Sequence, residues 1–152
     1  MAKVILVLLD GCGYELAEEC CGYLEHMAES GQAAKYRVQS QLPSMSRPLY
    51  ATLLTGLPVH RHGVGNNMIS AKLGVDSVFS LCRAAGLTTA AAAYHWVSEL
   101  FQHGPFDYAL HRYQLQGEGN IQHGLYYFED DYPDSHLLLD AEFLRRSFTP
   151  DF

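Results

Sequence analysis

The sequence predicts an α/β domain with a mostly parallel sheet that is flanked by helices on both faces. Residues 4–9 are continuously apolar, which is typical of a strand that helices cover on both faces. Along the rest of the chain, segments with helical spacing of apolar residues alternate with short apolar segments, as in parallel sheets. With 152 residues, 48% of them hydrophobic, we expect one domain that spans residues 1–152 and buries a substantial core.

The predicted elements follow in chain order, and glycines or prolines mark most of their ends. A first strand over residues 4–9 is followed by a helix over residues 14–30 that ends at Gly31. The next elements are a strand at 33–38, helices at 50–55 and 75–85, a strand at 87–94, a helix at 95–102, a strand from 106–108 and a helix at 135–146. Residues 121–128 fit either a helix or a strand. Alanine weakens the prediction at 87–94 because it has a low strand propensity.

Asp10 directly follows the first predicted strand. In open α/β sheets, ligands bind in the crevice outside the carboxyl ends of the strands. A carboxylate at this place therefore suits a metal ion or a phosphate group. The pair Asp10-Gly11 is also, and more often, typical of an ordinary turn.

Ser46 is predicted at the start of a helix. Pro43 and Pro48 bracket it, and proline is tolerated in the first helical turn. Ser46 or Ser44 then suits one of two functions: an N-cap for the helix, or a hydroxyl held against a phosphate that the helix N-terminus binds. Serine alone is a weak nucleophile, so a catalytic function would require a base or a metal.

Four short segments follow one another between residues 4 and 67. They are Asp10-Gly11 after the apolar run, Pro43-Ser44-Met45-Ser46-Arg47-Pro48, Thr52-Leu53-Leu54-Thr55-Gly56-Leu57-Pro58, and His62-Gly63-Val64-Gly65-Asn66-Asn67. In order, spacing and local residues, they resemble the amino-terminal part of the type I phosphodiesterase/nucleotide pyrophosphatase family of the alkaline phosphatase superfamily. The resemblance implies an alkaline phosphatase-like α/β fold and a phosphoric ester hydrolase with two divalent metal ions, usually Zn²⁺.

The resemblance also implies functions for individual residues of this chain. By position, Asp10 would be a metal ligand, Ser46 both the catalytic nucleophile and a metal ligand, and Asn67 a catalytic and substrate-binding donor to a phosphoryl oxygen. The chemistry agrees, because a divalent cation stabilises a serine alkoxide and a second one activates water. A preorganised amide donor stabilises charge that develops on the phosphoryl oxygens.

The residue after the predicted nucleophile departs from the family pattern. Relatives that act on nucleotide diesters often have Thr followed by an aromatic residue, whereas this chain has Ser46 followed by Arg47. Arg47 is a candidate substrate ligand, because its guanidinium can form bidentate hydrogen bonds to a phosphate and so favour a monoester. The alternative is a solvated side chain in the first helical turn.

Other metal ligands of the family pattern are missing from this sequence. The pattern requires an Asp and a His about a hundred residues or more beyond the nucleophile, a further Asp-His pair and a last His. Residues 148–152 resemble the approach to the strand that leads into the first of these Asp residues. The resemblance therefore implies an amino-terminal fragment of a larger catalytic domain, inactive alone. The alternatives are a non-catalytic module that binds phosphate or a partner, and another superfamily enzyme such as a phosphatase, phosphonate hydrolase or phosphomutase.

The remaining acidic and sulfur-containing residues do not predict a second site. The acidic segment 129–136 is interpreted as a helix start, where acidic side chains are favoured, rather than as a cation site. The four cysteines form no obvious disulfide framework or zinc motif, and they are Cys12, Cys20, Cys21 and Cys82. Cys12 is expected to be a small buried side chain rather than a group that reaches the site.

Charge and hydropathy argue against nucleic-acid and membrane partners, and the resemblance implies a small phosphorylated substrate. The net charge of −7 argues against a basic nucleic-acid surface, although a two-metal pocket can bind anions within an acidic protein. No stretch reaches the roughly 18 apolar residues of a membrane span, and none has the organisation of a signal peptide. The expected location is therefore cytoplasmic.

Overall fold

The computed structural model describes residues 3–152 and divides them into two compact units. The smaller unit is Val7–Ser40, with helices α1 (Tyr14–Cys20) and α2 (Gly22–Glu29). The single helix predicted over residues 14–30 is therefore two helices, which Cys21 separates.

The larger unit consists of residues 3–6 and Gln41–Phe152, and it contains the remaining helices and all of the sheet that the structure describes. Its helices are α3 (Ser46–Thr55), α4 (Val59–His62), α5 (Val78–Ala84), α6 (His95–Phe101), α7 (Tyr108–His111) and α8 (Asp134–Phe148). Its strands are β1 (Ala90–Tyr94), β2 (Tyr113–Gln114) and β3 (His123–Tyr127). The α/β class is confirmed.

The sheet is small and mixed, with the order β1-β3-β2. β1 and β3 are parallel, in register from Ala90 opposite His123 to Tyr94 opposite Tyr127, whereas β2 is antiparallel to β3. The strand predicted at 87–94 is confirmed as β1, and the ambiguous residues 121–128 contain β3. Because α6 and α8 pack against both β1 and β3, tertiary contacts override the low strand propensity of alanine. A mostly parallel sheet with helices on both faces stays a prediction.

The core of the larger unit lies between α3, α5, α6 and the sheet. Leu100 and Ile121 are fully buried, and Phe152 packs against Phe79 with ring centroids 5.4 Å apart. The buried cluster consists of Ala51, Leu54, Val64, Phe79, Val97, Leu100, Phe101, Ile121 and Tyr126. This core holds the start of α3, where the predicted nucleophile lies.

The strand predicted over residues 4–9 is wrong in this structure, which gives these residues no regular secondary structure. Their apolar side chains are between 48% and 74% exposed. A buried parallel strand requires a ladder of backbone partners on neighbouring strands. For this run, the structure gives one backbone hydrogen bond outside helices and strands, from the Val4 amide to the Asp151 carbonyl (2.9 Å). An apolar run does not by itself specify the backbone partners that a strand requires, so the prediction from this pattern fails.

Two other predicted strands, at residues 33–38 and 106–108, are also wrong. Residues 33–38 are exposed, and Lys35 forms ion pairs with Glu18 and Glu25, both 2.7 Å, within the smaller unit. At 106–108, the Asp107 carboxylate accepts hydrogen bonds from the amides of Ala109 and Leu110 and so caps α7.

The described helices include none long and apolar enough to cross a lipid bilayer.

Candidate functional site

Ser46 is the first residue of α3, as the sequence predicts. The N-cap position belongs to Met45, which forms no side-chain capping bond, so neither Ser44 nor Ser46 is the N-cap. The interpretation of these serines as caps is therefore wrong. The half-buried Ser46 lies at a helix start with several backbone N–H groups that lack helical partners. Such a start favours a bound anion.

Asn67 lies at this same helix start. The backbone amide of Arg47 donates a hydrogen bond to Asn67 Oδ1 over 3.0 Å. A backbone N–H can only donate, so this bond fixes which end of the Asn67 amide faces the helix. The Nδ2 group, with its two N–H donors, therefore faces away from the Arg47 amide. The structure brings Asn67 to the residue that follows Ser46, although the two segments are separated by about twenty positions.

The guanidinium of Arg47 lies inside the larger unit, and only 3% of the residue is exposed. Nη2 lies 2.6 Å from Glu99 Oε2, Nη1 donates to the Ile69 carbonyl, and Cζ lies 4.5 Å from the centre of the Trp96 ring. The solvated alternative is wrong. Burial lowers the pKa of Arg47, and the attraction of Glu99 opposes this shift. The substrate-binding function of Arg47 stays a prediction.

Glu99 is the residue on which these contacts converge, and the sequence pattern does not single it out. Its Oε1 accepts hydrogen bonds from Ser70 Oγ (2.7 Å) and from the Phe106 amide (3.1 Å), while Oε2 faces Arg47. Glu99 is 4% exposed. One sequence feature could have indicated Glu99: it is the one charged residue in the segment of α6 that follows His95. A buried carboxylate requires partners, but the sequence does not say which residues they are.

His95 and His62 are both buried near these elements, His95 beside the charged pair of Arg47 and Glu99. His95 Nδ1 lies 3.6 Å from Glu99 Oε2, and burial lowers the pKa of His95. His62 Nδ1 accepts from the Val64 amide, so the ring proton lies on Nε2, 3.0 Å from Thr52 Oγ1. This contact joins α4 to the middle of α3, and burial also lowers the pKa of His62.

Asp10 lies in the smaller unit, in an exposed turn where the Gly11 amide donates to Asp10 Oδ1 over 2.9 Å. The turn geometry expected of this pair is confirmed, and its metal-binding function stays a prediction. Within residues 3–152, no three His, Cys, Asp or Glu side chains come together to hold a metal ion.

The remaining candidates from the sequence are the acidic segment 129–136 and the four cysteines. The acidic segment contains the start of α8, with Pro133 as the N-cap and Asp134 in the first turn, so its interpretation as a helix start is confirmed. The four cysteines are free thiols. Cys12 is exposed, so the expectation that it is a buried side chain is wrong.

The family model for type I phosphodiesterase / nucleotide pyrophosphatase matches residues 4–121, which is most of the chain. The chain belongs to this family. The type I phosphodiesterase/nucleotide pyrophosphatase family contains phosphoester hydrolases that are generally metal-dependent. No curated protein and no solved structure matches the chain significantly.

Proposed function

We propose that this chain provides the nucleophile and part of the metal site of a metal-dependent phosphodiesterase or phosphatase. The observation that carries the proposal is the hydrogen bond from the Arg47 amide to Asn67 Oδ1, which joins two family segments at the start of α3. The donor residue, Arg47, directly follows Ser46 in the chain, and the acceptor is the side-chain oxygen of Asn67. A hydroxyl and an amide donor are thereby held at one helix start.

Each of these groups has a distinct task in the proposed reaction. Ser46 Oγ, once deprotonated, attacks phosphorus while the ester P–O bond breaks and the alcohol leaves, which forms a phosphoserine. Water then attacks the phosphoserine, breaks its Oγ–P bond, and releases the phosphoryl product and the Ser46 hydroxyl. Asn67 Nδ2 donates to a non-bridging phosphoryl oxygen, and its oxygen end is already held by the Arg47 amide. The N–H groups of the first turn of α3 add favourable dipoles for the anion.

The proposed cofactors are two divalent metal ions, and Zn²⁺ is the candidate. Asp10 and Ser46 would each hold a metal ion, with further ligands from polypeptide outside residues 1–152. Bound divalent cations supply Lewis-acid stabilisation of the serine alkoxide and of the attacking water. Residues 1–152 alone are accordingly proposed to be inactive.

The backbone around Phe152 supports an extended sheet of the alkaline phosphatase type. The Phe152 amide donates to the Thr88 carbonyl (3.1 Å), and the Phe152 carbonyl accepts from the Ala90 amide (2.8 Å). These two bonds have the pattern of a parallel pair. Since the Asp151 carbonyl also accepts from the Val4 amide, the segment at 151–152 has partners on two sides, as a strand inside a sheet does.

The test is hydrolysis of 4-nitrophenyl phosphate and bis(4-nitrophenyl) phosphate with added Zn²⁺. The enzyme is the chain extended past Phe152 by its encoded sequence, and residues 1–152 serve as the comparison. Ser46→Ala is expected to lower kcat at least on the order of 1000-fold, because it removes the nucleophile. The matched control is Ser44→Ala, which changes a neighbouring exposed serine and is expected to leave turnover unchanged.

Three outcomes would contradict the proposal. Full turnover by Ser46→Ala would exclude this nucleophile, and turnover by residues 1–152 alone would exclude the need for further ligands. Tight binding of inorganic phosphate without metal, together with an inactive extended protein, would instead favour a non-catalytic phosphate-binding module. The ratio of monoester to diester hydrolysis gives the substrate class.

A further inference from the structure

Two segments that carry the proposed chemistry are held together by one buried carboxylate. Glu99 lies in α6, whereas Ser46 starts α3 and Asn67 lies in the loop after α4. We infer that Glu99 is a positioning residue of the phosphoryl-transfer site, through its bonds to Arg47 and Ser70. The inference rests on the proposed function.

The first connection runs from Glu99 to the helix that begins with Ser46. Glu99 Oε2 accepts from Arg47 Nη2 over 2.6 Å, and both side chains are almost fully buried. Charge-assisted hydrogen bonds of this length are stronger and more directional than neutral ones. The Trp96 ring, 4.5 Å from Arg47 Cζ, further limits movement of the guanidinium. The backbone of Arg47 is thereby fixed, and so is that of its neighbour Ser46.

The second connection runs from Glu99 to the segment that carries Asn67. Glu99 Oε1 accepts a hydrogen bond from Ser70 Oγ over 2.7 Å. Ser70 lies three residues after Asn67 in the chain. Arg47 reinforces this connection, because its Nη1 donates to the Ile69 carbonyl and its amide donates to Asn67 Oδ1. The two segments therefore share a closed set of bonds that passes through Glu99.

Arg47 has a corresponding function in this arrangement. Its terminal guanidinium nitrogens are engaged by Glu99 and Ile69, inside the larger unit. In this inference, the guanidinium positions the helix start, and this function replaces the predicted binding of a substrate phosphate by Arg47. The hydroxyl of Ser46 and the amide of Asn67 remain the groups assigned to the substrate.

The experiment compares Glu99→Gln with Glu142→Gln in residues 1–152 and in the extended chain. Glu142 is a matched control because it also pairs with arginines, Arg145 and Arg146, but on the surface of α8. In residues 1–152, hydrogen exchange of the Arg47 amide and the Asn67 side-chain resonances are followed by NMR. Loss of the Arg47–Asn67 hydrogen bond is expected to accelerate exchange about tenfold in Glu99→Gln, with shifted Asn67 resonances. Glu142→Gln is expected to change neither.

In the extended chain, Glu99→Gln is expected to lower kcat on the order of 100-fold with little change in KM, because misaligned groups lose transition-state contacts. Ser70→Ala serves as a milder second variant if Glu99→Gln does not fold. Ser70→Ala removes one hydrogen bond to Glu99 at an exposed position. It is expected to accelerate Arg47 amide exchange, shift the Asn67 resonances and lower kcat, each by less than Glu99→Gln does.

Unchanged Arg47 exchange and Asn67 resonances in the folded variants would overturn the inference. An unchanged kcat of Glu99→Gln in an active extended chain would also overturn the inference, while the proposed function would stand. An equal loss of kcat in Glu142→Gln would also overturn it, since the effect would then be general destabilisation. An inactive wild-type extended chain with altered Arg47 exchange in Glu99→Gln would overturn the proposed function itself, while the structural coupling would stand.

Discussion

The buried pair of Arg47 and Glu99 predicts a large and strongly coupled effect on stability. Glu99→Leu removes the acceptor that Arg47 Nη2 meets at 2.6 Å and the acceptor of the Phe106 amide. Ser70 is exposed and its hydroxyl can turn to water, whereas the guanidinium stays buried. Because an uncompensated buried charge costs about 3–5 kcal/mol, the free energy of unfolding is expected to fall by about 4 kcal/mol. That is a large part of the roughly 5–15 kcal/mol that stabilises a typical domain.

The double variant separates the ion pair from its individual members. Arg47→Met alone leaves the Glu99 carboxylate buried without its cation, so it is expected to cost about 3–5 kcal/mol as well. Arg47→Met with Glu99→Leu replaces the pair by apolar side chains of similar volume, and such replacements are often neutral or stabilising. The double variant should therefore be more stable than the sum of the single effects by at least about 3 kcal/mol.

Urea unfolding followed by circular dichroism measures all four proteins, with equal m-values as the check that the same structure unfolds. Glu142→Leu is the control, because its pairs with Arg145 and Arg146 are exposed and such pairs contribute little. A loss below about 1 kcal/mol for Glu99→Leu would refute the argument, since the mutational cost of a buried unpaired charge is several times larger. Strict additivity of the two single effects would refute it as well.

Two further predictions concern the same unit. Burial lowers the pKa of His62, His95 and His123 in the folded protein. Below the ordinary histidine pKa of about 6.5, the unfolded chain therefore binds more protons than the folded one. Stability should therefore fall as the pH decreases from 7.5 to 5.5, and His123→Gln should flatten the slope; urea midpoints that stay constant or rise at pH 5.5 would contradict this. Gly56 ends α3 at φ +69° with no atom within 4 Å of an added Cβ, so Gly56→Ala should cost about 1 kcal/mol from backbone strain alone. Gly65→Ala, which also has free space but no positive φ, should unfold at the wild-type urea midpoint, and an equal loss there would contradict the strain argument.

The start of α3 could be predicted because its signals are local. Pro48 suits the first helical turn, and Gly56 takes the left-handed conformation that ends the helix. The position of Ser46 follows from these neighbours alone. For the same reason, the acidic residues before α8 were predicted as a helix start.

Glu99 could not be predicted, because its function depends on partners that are distant in sequence. Arg47 is 52 positions away and Ser70 is 29 positions away. Hydrophobic periodicity places Glu99 on a helix and indicates nothing about the charge that it meets. The incorrect strand at residues 4–9 has a similar cause, since strand formation depends on partners that an apolar run does not specify.

The departure of Arg47 from the family pattern has a physical consequence for substrate class. A buried guanidinium is costly unless a carboxylate and further acceptors pair with it, and here Glu99 and the Ile69 carbonyl pair with its two terminal nitrogens, while Nε is buried without a partner. Arg47 and Glu99 therefore form one unit, and a change of either alone is expected to be costly. If their charges compensate each other, the guanidinium adds little net positive charge at Ser46. Under the proposed function, the preference for a monoester or a diester then depends on the other groups proposed to contact the substrate, with Asn67 as the first to test.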